Sequence, residues 1–288
     1  MLKAVAPLFN RQKQSRAFKE YYAGWLSTLK NNLLPLLRRS MGGESPTILS
    51  TNVELLNQHF QAYYYVLDAV ATSDPLQLLS QEWRNSLEKP LLCLGDLHPF
   101  LFINLARSFL QEETDNNEDD DKDFPLPLPL PLPDNSQTID RPWQVSLAWR
   151  NASEVLNSRM DQIEFGLRVI VPTLTDRLKR AEDAFMDRIV GDWFPCRDRK
   201  GAAHAAVSAN LKGHLDELVN VFLYANRLRR NVLSDIISAT SVYQAALFFE
   251  GLAQFLIGFR EAELVYALEH SMGFSHSHAP KQGRSRCH

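Results

Sequence analysis

The chain has 288 residues, of which 45% are hydrophobic and 23% charged, an ordinary globular composition with enough length to bury a sizeable core. A formal net charge of -3 and a pI near 6.3 leave no global basic excess, which argues against binding that draws on phosphate neutralisation. Three widely spaced cysteines (Cys93, Cys196 and Cys287) with no CxxC pair argue against a disulfide framework and fit a reducing compartment.

Met1 to Asn10 carries one lysine and a short apolar run broken by Pro7, too short for a signal-peptide core. Glycine is sparse and leucine recurs throughout, which favours helix. The first strong period begins at Phe18: Phe18, Tyr22, Trp25, Leu29, Leu33 and Leu36 follow steps of three and four, the face of one helix. Pro35 is expected to kink or end it, and 41–46 reads as a loop. A second helix is expected over 50–72, capped by Ser50 or Thr51 with Glu54 in support, and with Leu55, His59, Tyr63, Val66 and Val70 on one face. A short helix over 75–80 follows. Trp83 to Leu97 is irregular, punctuated by Pro90 and Gly95. His98 and Pro99 open a helix over 100–110, where the His98 ring can meet orphan backbone amides.

Composition then changes. Eight of the twelve positions from Glu112 to Asp123 are acidic, and an alternating Pro-Leu run extends to Pro133. Like charges at that density favour an open chain, and alternating proline forbids helix and paired strand. Residues 112–140 are therefore expected to be a disordered acidic and Pro-Leu surface insertion. Helix resumes at Trp143 and is expected to pause at Pro172. It continues with Leu174, Leu178, Ala181, Phe185 and Ile189 on one face, and turns at 191–195. Helices over 204–230 and 233–270 complete the set. The stretch 242–259 is the nearest thing to a membrane span, but it carries Glu250, Gln244 and Gln254 and reads as a buried core helix. The expected fold is an all-α multi-helix bundle. Its parts are an N-terminal segment (1–17), a helical domain (18–272) and a disordered tail (273–288).

Motifs of catalysis are missing: no phosphate-binding glycine loop, no GxSxG and no HExxH. No catalytic, cofactor-binding or metal residue is assigned. His276, His278, Cys287 and His288 lie in the tail without the fixed frame a structural zinc needs. His59 and His98 could serve a haem or small-ligand sensor, against the blander reading of histidines satisfied within the helical core. Tyr63, Tyr64 and Tyr65 span about 200° of helix surface, so one neighbour cannot bury all three, and at least one is expected to face solvent or a partner. The clusters Arg38-Arg39, Arg177 to Arg180 and Arg227 to Arg230 are expected on solvated helix faces. They would attract an anionic membrane surface if they fall on one side of the fold.

The stretch from Phe18 to Leu110 resembles the Delay of Germination domain family, a domain shared with the C-terminal part of TGA-type bZIP factors. The resemblance is carried by Phe18-Lys-Glu-Tyr-Tyr-Ala-Gly-Trp25, by His59 with Tyr63 and Tyr64, by Trp83 with Glu88 and Gly95, and by Pro99. Relatives follow with Gly-Trp/Phe-Arg-Pro-Ser; here Asp96-Leu97-His98-Pro99-Phe100 stands instead, so any contact made by that arginine does not transfer. The resemblance implies that these residues are structural or interface positions. Only 17 residues precede Phe18, with no heptads, so direct DNA binding is not expected. Among stand-alone members, the acidic insertion and the altered step after Gly95 look most like the Inaperturate Pollen proteins. That likeness implies a non-enzymatic adaptor without cofactors, bound peripherally at the plasma membrane to other proteins. It would mark microspore membrane domains where exine is not deposited, and it leaves a homo-oligomer open. The alternative it implies is a nuclear regulatory module binding TGA-like transcription factors or dormancy phosphatases.

Overall fold

The computed structural model describes residues 18–111, 142–196 and 199–267, apart from positions 44, 80, 82, 151, 262 and 264. The N-terminal segment, the acidic and Pro-Leu insertion and the tail with its histidines and Cys287 lie outside these residues. What is described is an all-α bundle with one two-stranded hairpin.

Helix α1 covers 18–41. Phe18, Tyr22, Trp25 and Leu29 are buried, as their spacing predicts. Pro35 does not end the helix. Lacking an amide proton, it is accommodated by a π turn at Leu29–Leu33, in which the Leu34 N–H reaches back five residues to the Leu29 carbonyl. The one-residue insertion rotates the face by about 100°. Burial passes to Leu34, Leu37 and Met41 in place of the expected Leu33 and Leu36, and Leu36 is 39% exposed.

Helix α2, Pro46–Ser73, starts a turn earlier than expected. Ser45 caps it, its hydroxyl accepting from the Thr47 N–H at 3.3 Å, and Pro46 occupies the first position, where a missing amide proton costs nothing. Thr51 is interior, donating back to the Thr47 carbonyl at 3.0 Å. The buried face runs Leu49, Val53, Leu56, Phe60, Tyr63, Tyr64, Leu67 and Ala71, about one residue round from the expected one, and Leu55 is exposed.

After α3, Leu76–Leu79, a 3-10 turn at Lys89–Leu91 leads into β1, Leu92–Cys93, and β2, Asp96–Leu97. The strands pair antiparallel, Leu92 with Leu97 and Cys93 with Asp96. Leu94 and Gly95 both have positive φ (50° and 88°), as a two-residue hairpin turn that matches strand twist requires. A β-carbon on Gly95 would lie 3.2 Å from the Phe222 ring and 3.3 Å from Leu78, so the site needs glycine for space as well as for φ. Helix α4, Phe100–Gln111, follows, and His98 Nδ1 accepts from the Phe100 N–H at 3.3 Å, as expected.

The second half is α5, Trp143–Ser146, α6, Glu154–Cys196, α7, Lys200–Ala239, and α8, Val242–Gly258. Four expected boundaries move. Pro172 lies inside α6; on an exposed face its lost bond falls to water, while Thr173 and Thr175 donate to the carbonyls four residues back at 2.8 and 3.0 Å. Residues 191–195 are helix and not a turn. Helix α7 continues through Asn231. The break comes at Ser241, where a reciprocal capping box with Gln244 starts α8, which ends at Gly258; after a turn at Phe259 and Arg260 helix recurs at 263 and 265–267.

Helices α6 and α7 form an antiparallel pair, bonded at Arg159–Asp235, Arg177–Glu217 and Asp192–Asn210. Helix α8 lies in the core, with Phe248 and Phe249 fully buried, and Arg38 of α1 donates to its buried Glu250 at 2.8 Å. Among the described residues, no helix is long and apolar enough to cross a membrane.

The π turn makes a register prediction. In chemical denaturation, Leu37→Ala is expected to cost about 2–5 kcal/mol, and Leu36→Ala less than about 1 kcal/mol. An uninterrupted α-helix at this point would reverse that order.

A buried ionic centre and an exposed tyrosine–arginine face as candidate functional sites

Helices α1 and α2 and the segment from Gln81 to Leu97 converge on one guanidinium. Arg84 is buried. Its Nη2 donates to Asp96 Oδ1 at 2.6 Å and to the Tyr63 hydroxyl at 3.2 Å, its Nη1 to the Tyr22 hydroxyl at 3.1 Å, and its Nε to Gln81 Oε1 at 3.0 Å. The guanidinium carbon lies 4.5 Å from the ring centres of both Tyr22 and Trp83. Glu88, also buried, accepts from the Asn85 N–H at 3.1 Å and from Arg260 Nε at 2.9 Å. Two cations thus meet two carboxylates with aromatic walls between them.

Burial opposes the charge on Arg84, yet the oxygens of Tyr63, Tyr22, Asp96 and Glu88 outweigh it and hold its pKa above the usual value. Burial pushes the Tyr22 hydroxyl up to about 12, with Arg84 pulling the other way. Burial and then Asp96 raise Tyr63 further. Arg84 and the two tyrosines are thus all shifted away from exchanging a proton near neutrality. The centre is built to hold charge in place.

The expected motif residues sort clearly around it. Phe18 packs its ring edge on Trp83 at 5.7 Å. Tyr63 and Tyr64 are buried, and Tyr65 is 64% exposed, the outward member of the three. Trp25 and His59 form a reciprocal pair: Trp25 Nε1 donates to the His59 carbonyl at 3.1 Å, His59 Nε2 donates to the Trp25 carbonyl at 3.1 Å, and the rings stack at 4.9 Å. His59 is therefore a satisfied core histidine. Glu88 belongs to the centre, Gly95 turns the hairpin, and Pro99 is buried ahead of α4. Among the described residues, no three His, Cys, Asp or Glu side chains gather as a metal site requires.

Sequence reasoning did not single out Arg84 or Arg260, and it met Asp96 and Arg229 only as part of a motif departure and of a basic cluster. Arg229 is the sharpest correction, since its cluster was expected on a solvated face. It is fully buried and donates to main-chain carbonyls of the hairpin: Leu97 at 2.6 Å, Leu94 and Asp96 at 3.2 Å, and Cys93. Its Nη1 donates to Asn226 at 2.8 Å, which in turn donates to Asp68 at 2.9 Å. A pocket of about 430 Å³ lies beside the hairpin between Leu78, Gln81, Leu94 and Phe222.

Of the other basic residues, Arg39, Lys179, Arg180 and Arg227 lie on the surface as expected, while Arg38, Arg177 and Arg230 are half-buried and paired with Glu250, Glu217 and Asp68; Arg177, Arg227 and Arg230 gather around two tyrosines. Arg230 sits 4.7 Å from the Tyr65 ring and pairs with Asp68 at 3.0 Å. Arg227 and Arg177 lie 5.9 and 5.6 Å from the ring of exposed Tyr224. Tyr65, Tyr224, Arg177, Arg227 and Arg230 thus form one face across α2, α6 and α7. Exposed tyrosine and arginine side by side is the composition of an interface hot spot.

Two predictions test the interior. Arg84→Ala leaves Asp96 buried without its cation, while Glu88 keeps Arg260, and is expected to cost about 3–5 kcal/mol on denaturation. Burial lowers the His59 pKa below its ordinary 6.5, with the bond to the Trp25 carbonyl offsetting part of the shift. The unfolded chain then binds this proton more tightly than the folded one. The His59 contribution is full above about pH 6.5 and drains away as the pH falls below it. Between about pH 7.5 and 5.5 the denaturation midpoint should fall, and His59→Gln should shrink the fall.

Comparison with known proteins places these features. Residues 25–108 match the DOG1 family model, described as seed dormancy control, a span that includes Tyr63, Arg84, Glu88 and Asp96 of the ionic centre. The chain is 40% identical over 272 residues to Protein INAPERTURATE POLLEN1 of Arabidopsis thaliana, covering 91% of this chain and 96% of that protein. It is 33% identical over 258 residues to the rice (Oryza sativa subsp. japonica) Protein INAPERTURATE POLLEN 1 homolog, covering 87% of each.

Proposed function

Since this chain belongs to the Inaperturate Pollen family of DOG1-domain proteins, we propose that it acts in pollen aperture formation as a non-enzymatic adaptor. It associates peripherally with plasma-membrane domains of the microspore, assembles partner proteins there, and keeps exine from those sites. The observation that carries this reading is the exposed tyrosine–arginine face. Arg227 beside Tyr224, flanked by Arg177 and Arg230 in their pairs with Glu217 and Asp68, suits an acidic partner surface or anionic headgroups. The buried centre supports the non-enzymatic half of the reading: its ions are committed to one another, and each holds a helix or the hairpin in place.

The face can be tested without disturbing the core. Tyr224→Ala with Arg227→Glu is expected to keep the thermal midpoint within a few degrees, because both side chains are on the surface. Tagged protein in tetrad-stage microspores should lose its membrane patches in this variant and keep them in the parent. Unchanged patches in the variant would count against the face. The seed-dormancy-control match by itself favours a nuclear regulatory module, and parent protein confined to the nucleus would replace the adaptor reading with that one.

A further inference from the structure

The cleft beside the hairpin lies between the two halves of the chain. Its volume of about 430 Å³ falls within the ~300–1,000 Å³ of small-molecule sites. One side comes from the first half, with Leu78 and Leu79 of α3 and Leu92 to Gly95 of the hairpin. The other side is Leu178 of α6 and Phe222 of α7. Phe222 is buried, Leu178 is half-buried and Leu79 is exposed, so a body entering the cleft meets hydrocarbon on both sides.

The polar groups of these walls are largely committed. Gln81 Nε2 donates to the carbonyls of Leu78 and Gly95, and its Oε1 accepts from Arg84 Nε at 3.0 Å. Arg229 takes the carbonyls of Cys93 and Leu94. Burial pushes the half-buried Cys93 thiol up, with Arg229 pulling the other way, so near neutrality it is protonated and uncharged. Lys89 differs. It alone of the lining residues carries a charge, it is exposed, and among the described residues no ion pair engages it.

These walls select their occupant. A ligand with many hydrogen-bonding groups would bury them against carbonyls that are already taken. A cation would be repelled by Lys89. A bare anion would gain one exposed ion pair, which is worth little in water. What remains is a molecule apolar over most of its surface with a single negative group.

We propose that the cleft binds a compact amphipathic acid, with one or two rings between Leu78, Leu94, Leu178 and Phe222 and a carboxylate or sulfonate at Lys89. Leu178 is the last residue of α6 packed against the core, so the bound acid ties the outgoing helix pair to the hairpin. The cleft shares no residue with the tyrosine–arginine face, and the inference does not rest on the adaptor reading.

Anilinonaphthalenesulfonate, an apolar ring body with one sulfonate, serves as the probe, because its emission rises in apolar sites. Titrated into the full chain, it is expected to bind saturably. Lys89→Gln should weaken it several-fold and Lys89→Glu by about tenfold, since reversal adds repulsion to the lost attraction. Helix signal and thermal midpoint should stay unchanged, Lys89 being exposed. Phenylnaphthylamine, the same rings without the sulfonate, should bind the parent and both variants alike. With Cys196→Ser and Cys287→Ser, Cys93 is the one thiol left. At about ten times its dissociation constant the sulfonate should slow alkylation of Cys93 by iodoacetamide about tenfold, by occupancy. Absence of saturable binding, a sulfonate affinity indifferent to Lys89, an amine weakened as much as the sulfonate, or an unchanged alkylation rate would each overturn the inference.

Discussion

Two buried guanidinium groups hold the same six-residue hairpin, and the bundle is organised around that attachment. Arg84 takes the Asp96 carboxylate, and Arg229 takes the carbonyls of Cys93, Leu94, Asp96 and Leu97. Arg84 belongs to the first half of the chain, next to Tyr22 of α1 and Tyr63 of α2. Arg229 belongs to α7, 132 residues beyond Leu97 of the hairpin. A strand pair too short to stand alone thus becomes the joint at which the two halves meet. The desolvation of two cations is offset only because nearly every N–H has an oxygen to meet.

The joint also explains which residues tolerate little change. Gly95 is confined by positive φ and by Phe222 and Leu78. Leu94 holds a positive φ without being glycine, in a conformation that costs energy elsewhere, and its carbonyl is one of those Arg229 binds. Tyr22 and Tyr63 give hydroxyls to the guanidinium and rings to the aromatic cluster, so neither function can be removed alone.

Much of the architecture was legible in the sequence. The spacing of Phe18, Tyr22, Trp25 and Leu29 specifies a buried helical face, the Asp74-Pro75 step ends α2, and His98-Pro99 opens α4. Where the reading slipped, a second rule competed with periodicity. Ser45-Pro46 is a cap followed by a first-position proline, a start signal that outranks the later Ser50 and Thr51. Ser241 with Gln244 is a capping box hidden in an apolar run. Pro35 and Pro172 were read as breaks, but packing on both sides carried the helix through, at the first by way of a π turn. The ionic centre was half visible. Trp83, Tyr63 and Glu88 stood out as family positions, while Arg84 and Arg229 looked like any solvated arginine. Burial of a charge depends on distant acceptors, which local spacing does not reveal.

The lengths of α6 and α7 have a mechanical consequence. At 1.5 Å per residue, 43 and 40 residues make rods of about 60 Å. The bundle grips the inner part, through Arg107 to Asp161 and Glu164. Among the described residues, no side chain of α6 beyond Leu178 joins the hydrophobic core, and the two helices are linked there by contacts such as Phe185 stacked on His214 at 4.5 Å. Stability therefore grades along the hairpin. Amide protons at the α6 end near Trp193 and the α7 start near Ala205 open by local fraying, and those near Leu167 and Val221 wait for the whole domain to unfold. A load applied at the tip would be borne by the pair as a cantilever, with its fulcrum at the bundle.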